Sequence, residues 1–311
     1  MKTVTPCIIN GFIEAPRSKS AAHRLLIASA LADAPSRIDL GENFGEDVAA
    51  TLDCLKGIGA EISRDGAVVE VRPTKICRGD FPCRESGSTL RFLLPVAGAL
   101  GAKGIFSGAG RLPERPLADL LAALKKCGVS ASAEKLPLTL DGVFRENAEV
   151  ELAGNVSSQY VTGFLFALAV SGTGSIRLLS KLQSADYVAL TIDVLKKFGV
   201  AVGCDGDVFR VSGKFRSPGF CRVEGDWSNG AAYLALGALA GKVSVRGLDP
   251  DSRQGDKKIV GLLRRFGAEV SAGNDIVTAK HAPLAGAGVI DVDPVIDLAP
   301  ALAAVAAKAK G

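Results

Sequence analysis

The stretch "LKKFGVAVGCDGDVFRV", residues 195–211, contains a helix end, two short strands and the turn between them. Leu195 belongs to an amphipathic helical pattern, and the two lysines after it suit the negative end of the helix dipole. Gly199 then supplies the left-handed residue that commonly ends a helix. The pair Asp205-Gly206 is typical of a tight turn in a hairpin. The stretch therefore predicts an outer helix followed by a β-hairpin.

The same pattern recurs along the chain, which indicates a repeat architecture. It occurs as "LKGIGAEI" at 55, "LKKCGVSA" at 124 and "LRRFGAEV" at 263. The helix-ending glycines lie roughly seventy residues apart, at Gly59, Gly128, Gly199 and Gly267. A hairpin with a DG or ND turn is predicted in three of the copies: residues 62–71, 202–211 and 270–279.

A second and far more apolar helix recurs with the same period. Its predicted starts are Ser20, Ser88, Ser158, Ser228 and Asp297. A helix that is apolar on all sides is a buried one. Each repeat is therefore predicted to place one helix inside and one outside a small sheet, in an α/β (α+β) fold. The fifth repeat has its buried helix only, so we expect an exposed apolar face there and self-association of the chain.

Composition excludes several classes of protein. The 311 residues suffice for two domains, and a net charge of +4 with 5% aromatic residues argues against a nucleic-acid-binding protein. No signal peptide and no membrane span are predicted. Seven scattered cysteines and two histidines give no metal-binding pattern, so we expect a cytoplasmic protein with reduced thiols and no metal.

Cations stand near the starts of the apolar helices, where the helix dipole disfavours them. These residues are Lys19, Arg24, Arg91 and Arg115. An anionic ligand at the same helix starts would explain them, because helix N-termini bind anions. Two other interpretations remain open: the serines and aspartates can be simple N-caps, and each arginine can form a surface ion pair.

Eight motifs occur in order along the chain: "SKSAAHR" at 18, "ESGSTLRFLLP" at 85, "GRLPERPLADLL" at 110, "SSQYVTG" at 157, "SADY" at 184, "EGDWSNGAAYLALGAL" at 224, "DSRQGD" at 251 and "IDLAPALAAVAAKAKG" at 296. Together they resemble the family of 5-enolpyruvylshikimate-3-phosphate synthases, or 3-phosphoshikimate 1-carboxyvinyltransferases.

This resemblance implies the enolpyruvyl transferase fold, in which two domains of βαβαββ-type units close on substrate at a hinge. Residues 16–224 would form a complete three-unit domain, and residues 1–15 with 225–311 a partial second one. The family's later C-terminal motifs have no counterpart here, so we expect a chain truncated within its fifth unit. A complete chain is expected to be a monomer.

The resemblance also implies a reaction that needs neither metal nor organic cofactor. The enolpyruvyl group of phosphoenolpyruvate would pass to the 5-hydroxyl of shikimate 3-phosphate through a tetrahedral intermediate, releasing phosphate. The implied shikimate 3-phosphate ligands are Lys19, Ser20, Arg24, Ser157, Ser158, Gln159, Ser184, Tyr187 and Asp297. The implied phosphoenolpyruvate ligands are Lys19, Gly87, Arg91, Arg115 and Gln159. Asp297 is the candidate base for the 5-hydroxyl proton, and Lys19 would contact both substrates.

Two alternatives compete with this interpretation. The sister enzyme, UDP-N-acetylglucosamine 1-carboxyvinyltransferase, is expected to have Lys-Asn in the first motif and a reactive cysteine in the loop before Arg-Pro. Here the first motif has Lys19-Ser20, and residues 108–116 contain no cysteine, so Cys77, Cys83 and Cys127 are interpreted as structural. The other alternative is a truncated remnant that binds anions without turnover.

Overall fold

The computed structural model describes residue 5 and residues 7–73, 79–273 and 275–311. These residues divide into two compact units. The continuous unit consists of residues 19–223, and the split unit consists of the described residues up to 18 together with residues 224–311.

The described helices and strands alternate in the repeating order that the sequence predicts. The helices are α1 (Lys19–Leu31), α2 (Glu46–Gly57), α3 (Gly87–Leu100), α4 (Ala118–Lys126), α5 (Ser158–Ser171), α6 (Ala185–Lys197), α7 (Trp227–Ala240), α8 (Ile259–Arg265) and α9 (Ala299–Ala306). The strands are β1 (Ile9–Glu14), β2 (Ser36–Asp39), β3 (Ala60–Asp65), β4 (Val68–Pro73), β5 (Phe81–Pro82), β6 (Ile105–Ser107), β7 (Val129–Ala131), β8 (Leu138–Gly142), β9 (Glu149–Leu152), β10 (Thr173–Leu178), β11 (Val200–Asp205), β12 (Val208–Gly213), β13 (Phe220–Arg222), β14 (Gly241–Arg246), β15 (Glu269–Ala272) and β16 (Ile276–Lys280).

Every sheet of the described residues has four strands in one plan. A parallel pair is followed by two antiparallel neighbours, in the orders β13-β2-β4-β3, β5-β6-β8-β7, β9-β10-β12-β11 and β1-β14-β16-β15. In the continuous unit the last strand, β13, joins the sheet of the first repeat. The last strand of that unit is therefore hydrogen-bonded to its first strand, β2.

The predicted helix ends and hairpins are confirmed. The four helix-ending glycines all have left-handed backbone angles: φ is +89° at Gly59, +96° at Gly128, +80° at Gly199 and +94° at Gly267. The hairpins β3–β4 and β11–β12 turn through two residues, because Asp65 pairs with Val68 and Asp205 pairs with Val208. The second repeat also contains a hairpin, β7–β8. It was not predicted, because its strands are joined by a longer loop without the two-residue turn motif.

The apolar helices α1, α3 and α5 form the interior of the continuous unit, as their composition predicts. Helices α3 and α5 pack closely at Gly163, where a Cβ would lie 2.5 Å from the carbonyl oxygen of Arg91 and 3.3 Å from Cα of Phe92. A larger residue would separate the two helices. This close approach places the first turn of α5 beside the first turn of α3.

The split unit has its own core, in which Trp227, Leu234, Leu263 and Leu298 are buried. Helix α7 also has an exposed apolar stripe that includes Tyr233 and Leu236. In the continuous unit the corresponding helices are covered by one another. No helix in the described part of the chain has the length and apolar content that a membrane span requires.

Candidate active site

Two arginines converge beside the first residue of α3. Arg91 lies one turn along α3, and Arg115 follows a short 3₁₀ turn, Leu112–Glu114. From the point where a Cβ would lie on Gly87, Arg115 Nη1 is 2.7 Å away and Arg91 Nη1 is 3.8 Å away. A glycine at this position leaves room for both guanidinium groups. The structure thus brings together three residues for which the sequence predicts phosphoenolpyruvate binding.

Gln159, in the first turn of α5, connects this pair to the start of α3. Its side-chain oxygen accepts a hydrogen bond of 2.7 Å from Arg91 Nη1, and its amide nitrogen donates one of 2.9 Å to the Ser88 hydroxyl. The close contact of α3 with α5 at Gly163 makes this connection sterically feasible. Gln159 is therefore the fourth predicted ligand found at this place.

Tyr160 follows Gln159 and contacts Arg91 directly and the backbone next to Arg115. Its side chain is buried, and Cζ of Arg91 lies 5.7 Å from the centroid of its ring. Its hydroxyl donates a hydrogen bond of 3.0 Å to the carbonyl oxygen of Pro116, the residue after Arg115. One side chain therefore packs against one arginine and holds the backbone beside the other.

The electrostatics of Arg91 reflect a partly desolvated position next to a second cation. Burial lowers the pKa of Arg91 below its ordinary value, Tyr160 raises it, and the positive charge of Arg115 lowers it again. Its Nε atom is buried and finds no hydrogen-bond partner among the described residues. An anion placed between the two guanidinium groups would relieve their repulsion and gain charge-assisted hydrogen bonds.

Lys19, the first residue of α1, is accessible to solvent. Its Nζ lies 2.9 Å from a carboxylate oxygen of Asp47 in the first turn of α2, with 55% and 34% of the two side chains exposed. The backbone carbonyl oxygen of Asp47 also lies 3.3 Å from the hydroxyl of Thr89 in α3. Asp47 therefore connects Lys19 with the helix that contains Gly87 and Arg91.

A chain of buried polar side chains connects α1, α2 and the start of α3. His23 Nδ1 lies 2.7 Å from the Thr51 hydroxyl, which lies 2.7 Å from the Thr89 hydroxyl, and Thr89 donates a 2.7 Å bond to Ser86. Burial lowers the pKa of His23 to about 3, and the charge of Arg24 lowers it as well. His23 is therefore a neutral structural group at pH 7.

Arg24 is 2% exposed, and its guanidinium group is bonded to the protein interior. Its nitrogens donate to the Thr191 hydroxyl at 2.8 Å, to the Ser20 carbonyl at 2.7 Å and to the Tyr187 carbonyl at 3.1 Å. Burial lowers its pKa to about 10, so it remains charged at neutral pH. Arg24 therefore holds the backbone of Ser20 and Tyr187, two predicted ligands of shikimate 3-phosphate. Contact between Arg24 itself and that substrate stays a prediction.

The serines of the motifs occupy helix starts. The Ser86 and Ser157 hydroxyls cap α3 and α5 by accepting from the backbone N–H of Thr89 and Gln159, respectively. The N-cap interpretation therefore holds for these two side chains. Ser158 begins α5, and Ser184 precedes α6 with a φ of +52°, an uncommon angle for a residue other than glycine.

Asp297 belongs to the split unit, unlike the other predicted ligands. It is exposed and lies in a short 3₁₀ segment, Asp293–Leu298, before α9. Cys83 and Cys127 are buried, as a structural role requires, whereas Cys77 lies outside the described residues. Among the described residues no cluster of His, Cys, Asp and Glu could hold a metal ion.

Asp47 and Tyr160 were not among the residues predicted from the sequence. An acidic residue at a helix start is expected from the dipole alone, so no signal pointed to Lys19 as the partner of Asp47. Tyr160 stands within the "SSQYVTG" motif next to Gln159. Its position in the motif was the only signal, since a buried tyrosine in an apolar helix is otherwise ordinary core.

Comparison with known proteins identifies the family. The profile of EPSP synthase (3-phosphoshikimate 1-carboxyvinyltransferase) matches residues 5–311. The chain belongs to the EPSP synthase family. A relative from Clostridium kluyveri named 3-phosphoshikimate 1-carboxyvinyltransferase is 37% identical, over 99% of this chain and 74% of the relative. One from Methanopyrus kandleri with the same name is also 37% identical, over 97% of this chain and 73% of the relative.

Solved structures agree with the fold of the EPSP synthase family. The EPSP synthase of Acinetobacter baumannii superposes with a TM-score of 0.80 at 21% identity, covering 99% of this chain and 73% of that one. The enolpyruvyl transferase NikO from Streptomyces tendae has a TM-score of 0.70 at 19% identity, covering 98% and 74%. The enolpyruvyl transferase fold implied by the motifs is therefore confirmed.

Proposed function

We propose that the helix starts of the continuous unit hold phosphoenolpyruvate and shikimate 3-phosphate for the reaction that gives the family its name. That reaction transfers a carboxyvinyl (enolpyruvyl) group to 3-phosphoshikimate. The observation that supports the proposal most strongly is the convergence of Arg91 and Arg115 beside Gly87. Two repelling cations at one place are costly unless an anion binds between them.

The phosphoenolpyruvate site consists of Gly87, Arg91, Arg115 and Gln159, with Lys19 completing it. Phosphoenolpyruvate carries a phosphate and a carboxylate, and guanidinium groups bind both in bidentate fashion. Arg91 Nε offers a donor that no described residue uses. The free N–H groups at the start of α3 add to the positive potential.

In the continuous unit the shikimate 3-phosphate site consists of Ser20, Ser157, Ser158, Ser184 and Tyr187, with Gln159, Lys19 and Arg24. The family resemblance alone assigns Asp297 to this substrate. The hydroxyls and the N-terminus of α5 suit a phosphate and the polar ring of this substrate. Arg24 fixes the backbones of Ser20 and Tyr187 by donating hydrogen bonds to their carbonyl oxygens. The left-handed angle at Ser184 fits a residue held in place for binding.

The chemistry follows an addition and an elimination. Asp297 takes the proton of the 5-hydroxyl as the hydroxyl oxygen forms a bond to C2 of phosphoenolpyruvate, and C3 gains a proton, which gives the tetrahedral intermediate. The C–O bond to phosphate then breaks and C3 gives its proton back, so that the enolpyruvyl ether and inorganic phosphate form. Over both steps the proton of the 5-hydroxyl is the one lost, and it leaves with the phosphate. A carboxylate is a weak base, so its placement supplies much of its effect. The cations stabilise the charged groups of both substrates throughout.

A phosphate-release assay tests this function. The chain should release inorganic phosphate only when both substrates are present, and Arg91→Gln should reduce kcat/KM at least tenfold. Binding of shikimate 3-phosphate without phosphate release would instead identify an anion-binding protein without turnover. Failure to bind either substrate would overturn the proposal.

Two further properties accompany this function. We infer a cytoplasmic location from the thiols of the six described cysteines, all of which are free. The exposed stripe with Tyr233 and Leu236 supports self-association of this chain. Sedimentation velocity across a concentration series checks it, and Leu236→Glu should shift the chain towards monomer.

A further inference from the structure

Tyr160 contacts both Arg91 and the residue that follows Arg115. It lies in the first turn of α5 and is 3% exposed. Its ring faces Arg91 with 5.7 Å between the ring centroid and Cζ. Its hydroxyl bonds to the Pro116 carbonyl at 3.0 Å. We propose that Tyr160 is a positioning residue that holds the two arginines at the spacing needed to bind the phosphate and carboxylate of phosphoenolpyruvate.

This inference rests on the proposed function, because it assigns Tyr160 a role at the same anion site. The two arginines repel each other when no anion is present, and the charge of Arg115 lowers the pKa of Arg91. Two long side chains in such a position would separate unless other groups held them. Placement before binding reduces the entropy that binding must otherwise overcome.

Two residues of α5 fix the position of the Arg91 side chain. Gln159 accepts from its Nη1, and the electron-rich face of the Tyr160 ring attracts its charge. Burial of the ring strengthens this attraction, because little water competes with it. Arg91 is therefore held by two consecutive residues of one helical turn.

The position of Arg115 is restricted through the backbone of the next residue, Pro116. Pro116 has a restricted φ and follows Arg115 directly, so fixing its carbonyl restricts the direction in which the Arg115 side chain leaves the chain. The Tyr160 hydroxyl supplies this contact from the interior. Removing the hydroxyl should release Arg115 and also remove the hydrogen bond between the hydroxyl and Arg91, while leaving the ring against Arg91.

The test compares Tyr160→Phe with wild type and with a control in the same helix. Phe164→Leu changes a buried aromatic side chain one turn further along α5 and touches neither arginine by the contacts described. Calorimetric titration with phosphoenolpyruvate measures Kd without requiring turnover. We expect Tyr160→Phe to weaken binding about fivefold and Phe164→Leu to leave Kd within twofold, with both variants folded by circular dichroism.

A double-mutant cycle separates positioning from a general packing effect. In an Arg115→Lys background, Tyr160→Phe should change Kd by less than it does in the wild-type background, because one of the two guanidinium groups that the hydroxyl positions is already absent. In steady-state assays the KM for phosphoenolpyruvate should rise about fivefold, with kcat and the KM for shikimate 3-phosphate unchanged. A merely structural role would instead lower kcat with the fraction of folded enzyme.

Each outcome decides the inference. An unchanged Kd in Tyr160→Phe, or an equal loss in the Arg115→Lys background, overturns the role of Tyr160. A wild-type chain that does not bind phosphoenolpyruvate overturns it as well. A wild-type chain that binds phosphoenolpyruvate and is weakened by Tyr160→Phe, yet releases no phosphate, supports the role of Tyr160 while the proposed turnover fails.

Discussion

Arg115 Nη1 lies 2.7 Å from the point that a Cβ on Gly87 would occupy. Real Cβ atoms do not approach a nitrogen so closely, so any side chain at position 87 must displace this guanidinium. Arg91 Nη1 lies 3.8 Å from the same point. The absence of a side chain at one residue thereby determines where two cations can lie.

Gly87→Ala is therefore expected to raise the KM for phosphoenolpyruvate about tenfold, since Arg115 must move away from the anion. The KM for shikimate 3-phosphate should change little. Gly203→Ala is the matched control, because a Cβ there meets nothing within 4 Å. An unchanged KM in Gly87→Ala would show that Arg115 does not bind the substrate from its present position.

Lys19→Met should reduce turnover at least a hundredfold while changing the free energy of unfolding by about 1 kcal/mol or less, as exposed ion pairs contribute little. Lys56→Met provides the control, because Lys56 forms a similar pair with Asp53 at 3.2 Å with 60% and 32% of the side chains exposed. Urea denaturation and phosphate release measure the two effects. Equal turnover in both variants would remove Lys19 from the site.

Arg24→Ala should both weaken shikimate 3-phosphate binding and destabilise the fold by about 3 kcal/mol or more, because several buried acceptors lose a charged donor. Arg177→Ala, at an exposed position on β10, should change stability by about 0.5 kcal/mol or less. Calorimetry and chemical denaturation check the two quantities. If Arg24→Ala unfolds at the same urea concentration as wild type, the internal hydrogen bonds of Arg24 contribute nothing measurable.

Acid should destabilise the chain partly through His23. The folded-state pKa of about 3 lies below the ordinary value of 6.5, so the unfolded chain binds a proton that the folded chain excludes. Its contribution is therefore lost as pH falls from about 6.5 towards 3, by at most about 1.4 kcal/mol per pH unit. His23→Gln should flatten the pH dependence of unfolding in this range. Identical slopes in wild type and His23→Gln would contradict the buried neutral state of His23.

Asp297→Asn should bind both substrates with affinities close to wild type but reduce kcat by at least a hundredfold, because the amide cannot accept the 5-hydroxyl proton. Single-turnover kinetics with calorimetry separates the two effects. Undiminished turnover in Asp297→Asn would remove its role as base.

The repeat allowed most of the fold to be predicted from the sequence, since glycines such as Gly59 and Gly199 end the outer helices in the predicted conformation. The sequence also drew attention to Lys19 and Arg91, because they stand where the helix dipole disfavours cations, and their contact with substrate stays a prediction. The contacts between repeats could not be predicted. The pairing of Lys19 with Asp47 and the reach of Tyr160 to Pro116 depend on how α1, α3 and α5 pack, and a periodic pattern does not contain that information.

The most direct test is a crystal structure of the chain grown with shikimate 3-phosphate and phosphoenolpyruvate, or with their product. The account predicts ligand phosphate or carboxylate oxygens within hydrogen-bond distance of Arg91 and Arg115 beside Gly87, with the second substrate against Ser157 and Ser158. Ligands bound at another place, with no anion between these two arginines, would contradict it.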